Sequence, residues 1–272
     1  MKAKSYAKIN LTLNILNKRN DGYHNLKSVM IPINLYDELE FELNDTYILN
    51  SNFDIDINDN IITKVFNIFK NRYNIGNVKI NLNKNIPHQA GLAGGSSNAT
   101  TTIKCLNELF NLNLDIKTLE EIALEVGSDT LFTLHSTPAI VSSRGDILNV
   151  LENCNPDFYV LLIKPNFGFS TKDIFNNSDI FNQEHNDEII DSLINNDVKS
   201  IDSYCYNSFL NTILNTNKEF NDLYSEISKY KKPHLTGSGS TLFLLSNDIK
   251  ELNDIKDKFN NCYTNIVSTK LS

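Results

Sequence analysis

Apolar and polar residues alternate along the opening stretch of the chain. Within residues 5–16, SYAKINLTLNIL, every second position from Lys8 to Ile15 is apolar, the period of a half-buried strand. Residues 17–22 read as a turn, with Asp21-Gly22 its strongest signal. Two more strand-like runs follow at 26–35 and 39–43. Over 61–73 the period changes: Ile61, Ile62, Val65, Phe66 and Phe69 recur at helical spacing. Residues 78–82 alternate again as a strand. Helices are predicted at about 97–110 and 116–126, the second with Asp115 as its N-cap. Residues 139–142 and 147–150 predict a short hairpin.

The character of the chain changes at 152–157, and a strong strand begins at 158–163. Residues 187–230 are largely helical in pattern. Residues 242–245 read as a buried strand, 248–260 as a helix and 263–268 as a final strand. There is no internal repeat and no flexible linker. The mixed order of strands and helices favours an α+β fold over a doubly wound sheet. The division expected is an N-terminal domain of residues 1–152 and a C-terminal domain of 153–272.

Length and composition fit this picture. The chain has 272 residues, of which 40% are hydrophobic, enough for a sizeable core. Asparagine is abundant but forms no long biased tract, so genome composition explains it better than a prion-like segment. The formal net charge is −8, which disfavours nucleic acid as a partner, since a basic face supplies most of that affinity. An anionic ligand would have to be held by local lysines and backbone amides. Cys105, Cys154, Cys205 and Cys262 form no C-x-x-C pair, which is neither zinc spacing nor a small disulfide framework. Reduced thiols in a cytoplasmic protein are expected. Lysines interrupt the first ten residues as they would not in a signal peptide, and no stretch approaches the apolar length of a membrane span. No membrane partner is therefore expected.

One segment carries chemistry on its own terms. Residues 85–98 read Asn-Ile-Pro87-His-Gln-Ala-Gly91-Leu92-Ala93-Gly94-Gly95-Ser96-Ser97-Asn98, after a strand and before a helix. Glycines let a backbone approach a ligand closely, and exposed amides at a helix start favour negative charge. A Walker A loop would need a following Gly-Lys-Ser/Thr, and a Rossmann fingerprint a different glycine spacing. From residue content alone, a flexible loop with a serine cap remains as good a reading as a phosphate cradle.

The complete string, Pro-x-x-x-Gly-Leu-x-Gly-Gly-Ser-Ser, resembles the signature of the GHMP kinase superfamily, where this loop cradles the phosphates of ATP. Ala7-Lys8-Ile9-Asn10-Leu11 and Asp21-Gly22-Tyr23-His24-Asn25-Leu26 resemble one branch of it. That branch phosphorylates the 2-hydroxyl of 4-diphosphocytidyl-2-C-methyl-D-erythritol in non-mevalonate isoprenoid synthesis. Gly127-Ser128-Asp129, Gly145-Asp146, Lys164-Pro165, Ser170-Thr171 with Phe175, the 207–210 segment and Thr236-Gly237-Ser238-Gly239-Ser240 resemble further blocks, in the same order. The resemblance implies a two-domain fold, ribosomal-protein-S5-like and then ferredoxin-like. It also implies ATP with Mg²⁺, a small cytidine diphosphate-linked polyol as substrate, and a monomer or homodimer.

The same resemblance implies roles. Asp129 would be the base and Lys8 its electrostatic partner. Pro87, Gly91, Leu92, Ala93, Gly94, Gly95, Ser96, Ser97 and Asn98 would bind ATP, with Ser97 also meeting the metal. Asn10 projects from the same strand face as Lys8, toward the same substrate. Tyr23, His24 and Phe175 would hold the cytosine, with Thr171, Gly237, Ser238 and Gly239 bordering the substrate. Three positions depart from the pattern. Ala93 stands where a glycine is usual, Leu131 where a proline is usual, and Asn207-Ser208-Phe209-Leu210 lacks both acids of its block. A homoserine or mevalonate-type kinase, or a diverged protein of this fold without full kinase activity, are the alternatives.

Overall fold

The structure, a computed structural model, describes residues 1–54, 56–57, 59–177 and 185–272. Along the chain come β1 (Lys2–Asn10), β2 (Thr12–Lys18), β3 (His24–Asn44), β4 (Ile48–Ser51), α1 (Ile61–Tyr73), β5 (Asn77–Asn83), α2 (Gly94–Leu109), α3 (Ile116–Val126) and α4 (Thr130–His135). Then follow β6 (Ala139–Ser143), β7 (Ile147–Val150), β8 (Tyr159–Lys164), α5 (Thr171–Asn177), α6 (Asn186–Ile194), α7 (Val198–Tyr204), β9 (Tyr206–Asn207), α8 (Leu210–Thr216), α9 (Lys218–Ser228), β10 (His234–Leu235), β11 (Leu242–Ser246), α10 (Ile249–Lys256) and β12 (Tyr263–Ser268). This is the α+β class that the patterning predicts. Two compact units result: Met1–Ala7 with Leu35–Pro87 and Ala93–Ser136, and Lys8–Asn34 with His88–Leu92 and Thr137–Ser272. Each is assembled from separated stretches, so residue 152, where the sequence changes character, falls inside the second unit.

In the first unit, β5 pairs antiparallel with the second half of β3 (Glu38↔Asn83 to Asn44↔Asn77) and parallel with β4. Leu39 and Phe41 of β3 are buried while Glu38, Glu40 and Glu42 are exposed, the alternation of a sheet with one wet face. Val65, Phe66 and Phe69 of α1, Ile103 and Leu106 of α2, and Ile122 of α3 join the buried sheet residues in one core. Asn60 caps α1 by accepting from Ile62 N at 2.9 Å, and Asp115 caps α3 by accepting from Thr118 N at 2.8 Å. Strand β3 is one 21-residue strand where the pattern predicts two runs. The break in the pattern is Asp37, a carboxylate buried to 0% exposure in mid-strand.

In the second unit, β2 and β6 both pair antiparallel with the first half of β3, β7 completes a hairpin with β6, and β9 runs parallel to β2. A separate four-stranded sheet has the order β10-β11-β8-β12, with antiparallel neighbours throughout. Its connections run β-α-β-β-α-β when the helices between β8 and β10 are taken together, as in ferredoxin-like units. Val160–Ile163 of β8 and Leu242–Leu245 of β11 are completely buried, which is why these strands read as unbroken apolar runs. No helix among the described residues is long and apolar enough to cross a membrane.

Candidate functional site

Lys8 is buried (2% exposed) near the end of β1. A buried ammonium needs partners, and two neutral oxygens are among them. Its Nζ donates to Asn10 Oδ1 at 2.7 Å and to the Gly91 carbonyl at 3.0 Å. Asn10 is itself 1% exposed. Its Oδ1 also accepts from Gly237 N at 2.9 Å and Thr236 Oγ1 at 3.3 Å, while its Nδ2 donates to Ser28 Oγ at 2.8 Å. Asn10 therefore ties β1 to the glycine loop at 236–240, and its amide oxygen is engaged within the protein. Thr236 Oγ1 donates to the Gly91 carbonyl at 3.2 Å. Gly91 must be glycine: its φ is +72° and a Cβ would lie 2.2 Å from the Thr236 carbonyl oxygen.

A second cluster in the same unit is aromatic. His24 stacks on Phe175 with ring centroids 5.4 Å apart and planes 26° apart. Phe209 meets Phe175 edge-on at 4.7 Å. Burial, helped by the Lys18 charge, pushes the His24 imidazole below its ordinary range, so it is neutral near pH 7. Tyr23 is 61% exposed, with the Arg144 guanidinium 5.9 Å from its ring centroid. Asp21 Oδ1 accepts from the Tyr23 amide at 3.1 Å, which holds the turn that presents it. Thr171 and Ser238 share a hydrogen bond of 2.8 Å. Of the 237–239 turn, only Ser238 is not buried.

The first unit holds the helix start. Helix α2 begins at Gly94, earlier than the pattern predicts, because Ala93 takes the left-handed conformation (φ 57°, ψ 27°) and turns the chain into it. No side-chain hydrogen bond caps it, so its first amides are left for an incoming acceptor. A Cβ at Gly95 would meet nothing within 4 Å; Gly95 is exposed, and Ala93, Gly94 and Ser96 are half-exposed. Ser97 and Asn98, by contrast, are 1% and 3% exposed. Asn98 Nδ2 donates to Asp37 Oδ2 at 2.8 Å and to Ser5 Oγ at 2.9 Å. Asp37 also accepts Lys84 Nζ at 2.5 Å and the amides of Asn85 and Ile86 at 2.7 and 2.8 Å. This buried carboxylate thus fixes the backbone just before Pro87.

Asp129, half-buried, stands at the head of α4. Leu131 replaces the usual proline there, but Thr130 fastens the segment instead. Its Oγ1 donates to the Ala123 carbonyl at 2.5 Å and to the Gly127 carbonyl. The Asp129 carbonyl accepts from Thr133 N at 3.2 Å.

The structure brings together Lys8, Asn10, Gly91 and Gly237, His24 with Phe175, and Thr171 with Ser238. Pro87, Ala93, Gly94, Gly95, Ser96, Ser97, Asn98 and Asp129 belong to the other unit, while Leu92, with the second unit, is buried at 1% exposure. Gly239 has φ +84° and a Cβ there would come 3.0 Å from Phe169. Two residues escaped the sequence reading. Asp37 had a signal, a charge inside an apolar strand pattern. Asn207, whose Nδ2 donates to the Leu235 and Gly237 carbonyls at 2.9 Å each, had none beyond its resemblance block.

Residues 60–137 match the family model described as the GHMP kinases N terminal domain. The chain is 33% identical over 279 aligned positions to the 4-diphosphocytidyl-2-C-methyl-D-erythritol kinase of Clostridium botulinum (strain Hall), covering 99% of both chains. Identity to the enzyme of the same name from Clostridium beijerinckii is 34%, again over 99% of each. Among solved structures, a 4-(cytidine 5'-diphospho)-2C-methyl-D-erythritol kinase shares the fold with a TM-score of 0.83 at 22% identity, covering 98% of this chain and 99% of that one.

Proposed function

The chain belongs to the 4-diphosphocytidyl-2-C-methyl-D-erythritol kinase family of GHMP kinases, and from this premise we propose how its residues divide the reaction. It is an ATP-dependent small-molecule kinase. Its substrate is 4-diphosphocytidyl-2-C-methyl-D-erythritol, phosphorylated on the 2-hydroxyl. The observation that carries this reading is the aromatic cluster of His24 on Phe175, with Tyr23 presented on the neighbouring turn. Flat rings suit a pyrimidine, and homoserine or mevalonate would offer them nothing to stack. Neutral His24 can hydrogen-bond the edge of the base through either ring nitrogen.

Asp129 accepts the proton of the 2-hydroxyl as its oxygen bonds to the γ-phosphorus. The bond from that phosphorus to the bridging oxygen of ATP breaks, and ADP leaves. Lys8 steadies the reacting oxygen, and the open amides at Gly94–Ser96 hold phosphate oxygens. This is catalysis by position and charge, as phosphoryl transfer requires. Among the described residues no three acidic, histidine or cysteine side chains gather to hold a metal ion. The donor set fits an Mg²⁺ carried by the triphosphate and met by a hydroxyl, and burial favours Ser96 over Ser97 for that hydroxyl. When bound, the ion neutralises charge on the phosphate oxygens. A cytoplasmic setting agrees with four unpaired cysteines, of which Cys105 is pushed up to about 12 by burial.

The test is direct. Purified protein is given ATP, Mg²⁺ and the cytidyl substrate, and ADP release is followed. Turnover is expected with this substrate, while Asp129→Ala should lower kcat roughly 10²- to 10⁴-fold. Turnover of homoserine or mevalonate in its place would overturn the substrate, and undiminished kcat in Asp129→Ala would remove the base.

A further inference from the structure

Asn207 closes β9, where Leu13 is its parallel partner, and it is 5% exposed. Among the described residues its side chain bonds to three backbone groups. Nδ2 donates to the carbonyls of Leu235 and Gly237, each at 2.9 Å, and Oδ1 accepts from Phe209 N at 2.9 Å. An amide that bridges two carbonyls of one turn sets the direction of the peptides between them. The consequence appears at the next donor along: Gly237 N points to Asn10 Oδ1 at 2.9 Å, the oxygen that also accepts Lys8 Nζ at 2.7 Å. The turn has little latitude, since Gly237 has φ +56° and a Cβ there would come 2.9 Å from the Gly91 carbonyl oxygen.

We propose that Asn207 is a positioning residue for Lys8, acting through the Gly237 peptide and Asn10 without touching substrate. The claim rests on the reading of Lys8 as the group that steadies the reacting oxygen. Only asparagine fits the three partners by size and polarity. An aspartate would set a carboxylate against two carbonyl oxygens, and an apolar residue would leave three buried groups unmet. The same residue reaches the aromatic end, because the Phe209 amide it accepts belongs to the ring that props Phe175. The two acids missing from this block are therefore not what holds the turn; the asparagine is.

Ser208 provides the control. It is 4% exposed and its Oγ accepts from Ile15 N at 3.0 Å, a bond of the same segment that does not lead to Gly237. Asn207→Ala, the isosteric Asn207→Asp and Ser208→Ala are compared with wild type. Hydrogen exchange at the Gly237 amide, read by NMR without substrate, should speed up at least about tenfold in both Asn207 variants and stay near wild type in Ser208→Ala. With the cytidyl substrate, kcat should fall about tenfold to a hundredfold in the Asn207 variants, with the KM for ATP within about twofold. Ser208→Ala should lose thermal stability yet keep its kcat. Unchanged Gly237 exchange in a folded Asn207 variant would overturn the proposal, as would an equal kcat loss in Ser208→Ala. Failure of the functional reading looks different: wild type then leaves the cytidyl substrate untouched while Gly237 exchange still answers to Asn207.

Discussion

At the start of α2 no side-chain hydrogen bond caps the first turn. At the 236–240 turn the polar groups are tied to side chains: Asn10 takes the Gly237 amide, Asn207 the Gly237 carbonyl, and Thr171 the Ser238 hydroxyl. Both regions are rich in glycine, yet for different physical reasons. At Gly95 a Cβ would meet nothing within 4 Å, so the space beside it is open. Gly91 and Gly237 are small so that the protein can come close to itself: a Cβ on either would collide with backbone of the other glycine loop. One backbone is open, the other is closed on itself. The contrast shows that a glycine-rich string does not by itself tell which is meant.

Two substitutions would break this contrast if it is false. Gly91→Ala should be the most damaging, since a Cβ meets backbone at 2.2 Å and the φ of +72° is unfavourable to alanine. A loss of about 2–4 kcal/mol in denaturant unfolding is expected, with activity lost alongside. Gly95→Ala should behave in the opposite way. In a helix turn with open space, alanine leaves stability unchanged or raises it by about 0.5–1 kcal/mol. The methyl group would sit where phosphate oxygens approach, so the KM for ATP should rise about tenfold, the loss of one good hydrogen bond. A Gly91→Ala protein of wild-type stability, or a Gly95→Ala enzyme of wild-type KM, would erase the difference between the two regions.

Much of the open region was legible in the sequence, and little of the closed one. The helix start follows from a strand, a glycine-serine string and a helical period, all local signals. Only its boundary was misplaced, because glycine propensity reads as loop while Gly94 and Gly95 are helical here. The closed region rests on bonds between residues far apart, such as Asn10 with Gly237 and Asn207 with Leu235. No periodicity records them. Asn10 was legible as a neighbour of Lys8 on one strand face, but not as its acceptor. Asp37 disrupted the strand pattern because its partners, Lys84 and Asn98, are supplied from elsewhere in the chain.

Protonation offers a milder way to separate the regions. Burial lowers the pKa of His24 and, more deeply inside, of His234, whose pKa Asp202 and the nearby lysines also influence. For a histidine whose folded pKa is depressed, the unfolded chain binds more protons between the two values, so stability rises with pH there. Stability from both groups is therefore complete above the unfolded value of 6.5 and declines as pH falls below it. The KM for the cytidyl substrate should be flat above 6.5 and rise only once pH falls to the lower pKa of folded His24, because protonated His24 no longer offers an acceptor to the base. The KM for ATP should not share the rise. His24→Gln should flatten the substrate profile; if it leaves the profile as it was, His24 is not the titrating group.

The smallest effect is expected at Ala93, where this chain departs from a glycine. Its φ of 57° lies in the left-handed region, which costs an L-residue about 1–2 kcal/mol. Glycine has no such cost but gives up about 0.5–1 kcal/mol more backbone entropy on folding. Ala93→Gly should therefore stabilise the protein by no more than about 1.5 kcal/mol. The backbone already holds the conformation that turns the chain into α2, so the KM for ATP should stay within about twofold of wild type. Ala93→Val sharpens the point, since a β-branched residue at positive φ is far less tolerated and should cost stability and nucleotide binding together. If Ala93→Gly lowers the thermal midpoint, alanine is not strained there and the departure from glycine carries no cost. If it raises both stability and nucleotide affinity, the alanine is a burden that the phosphate loop bears in this chain.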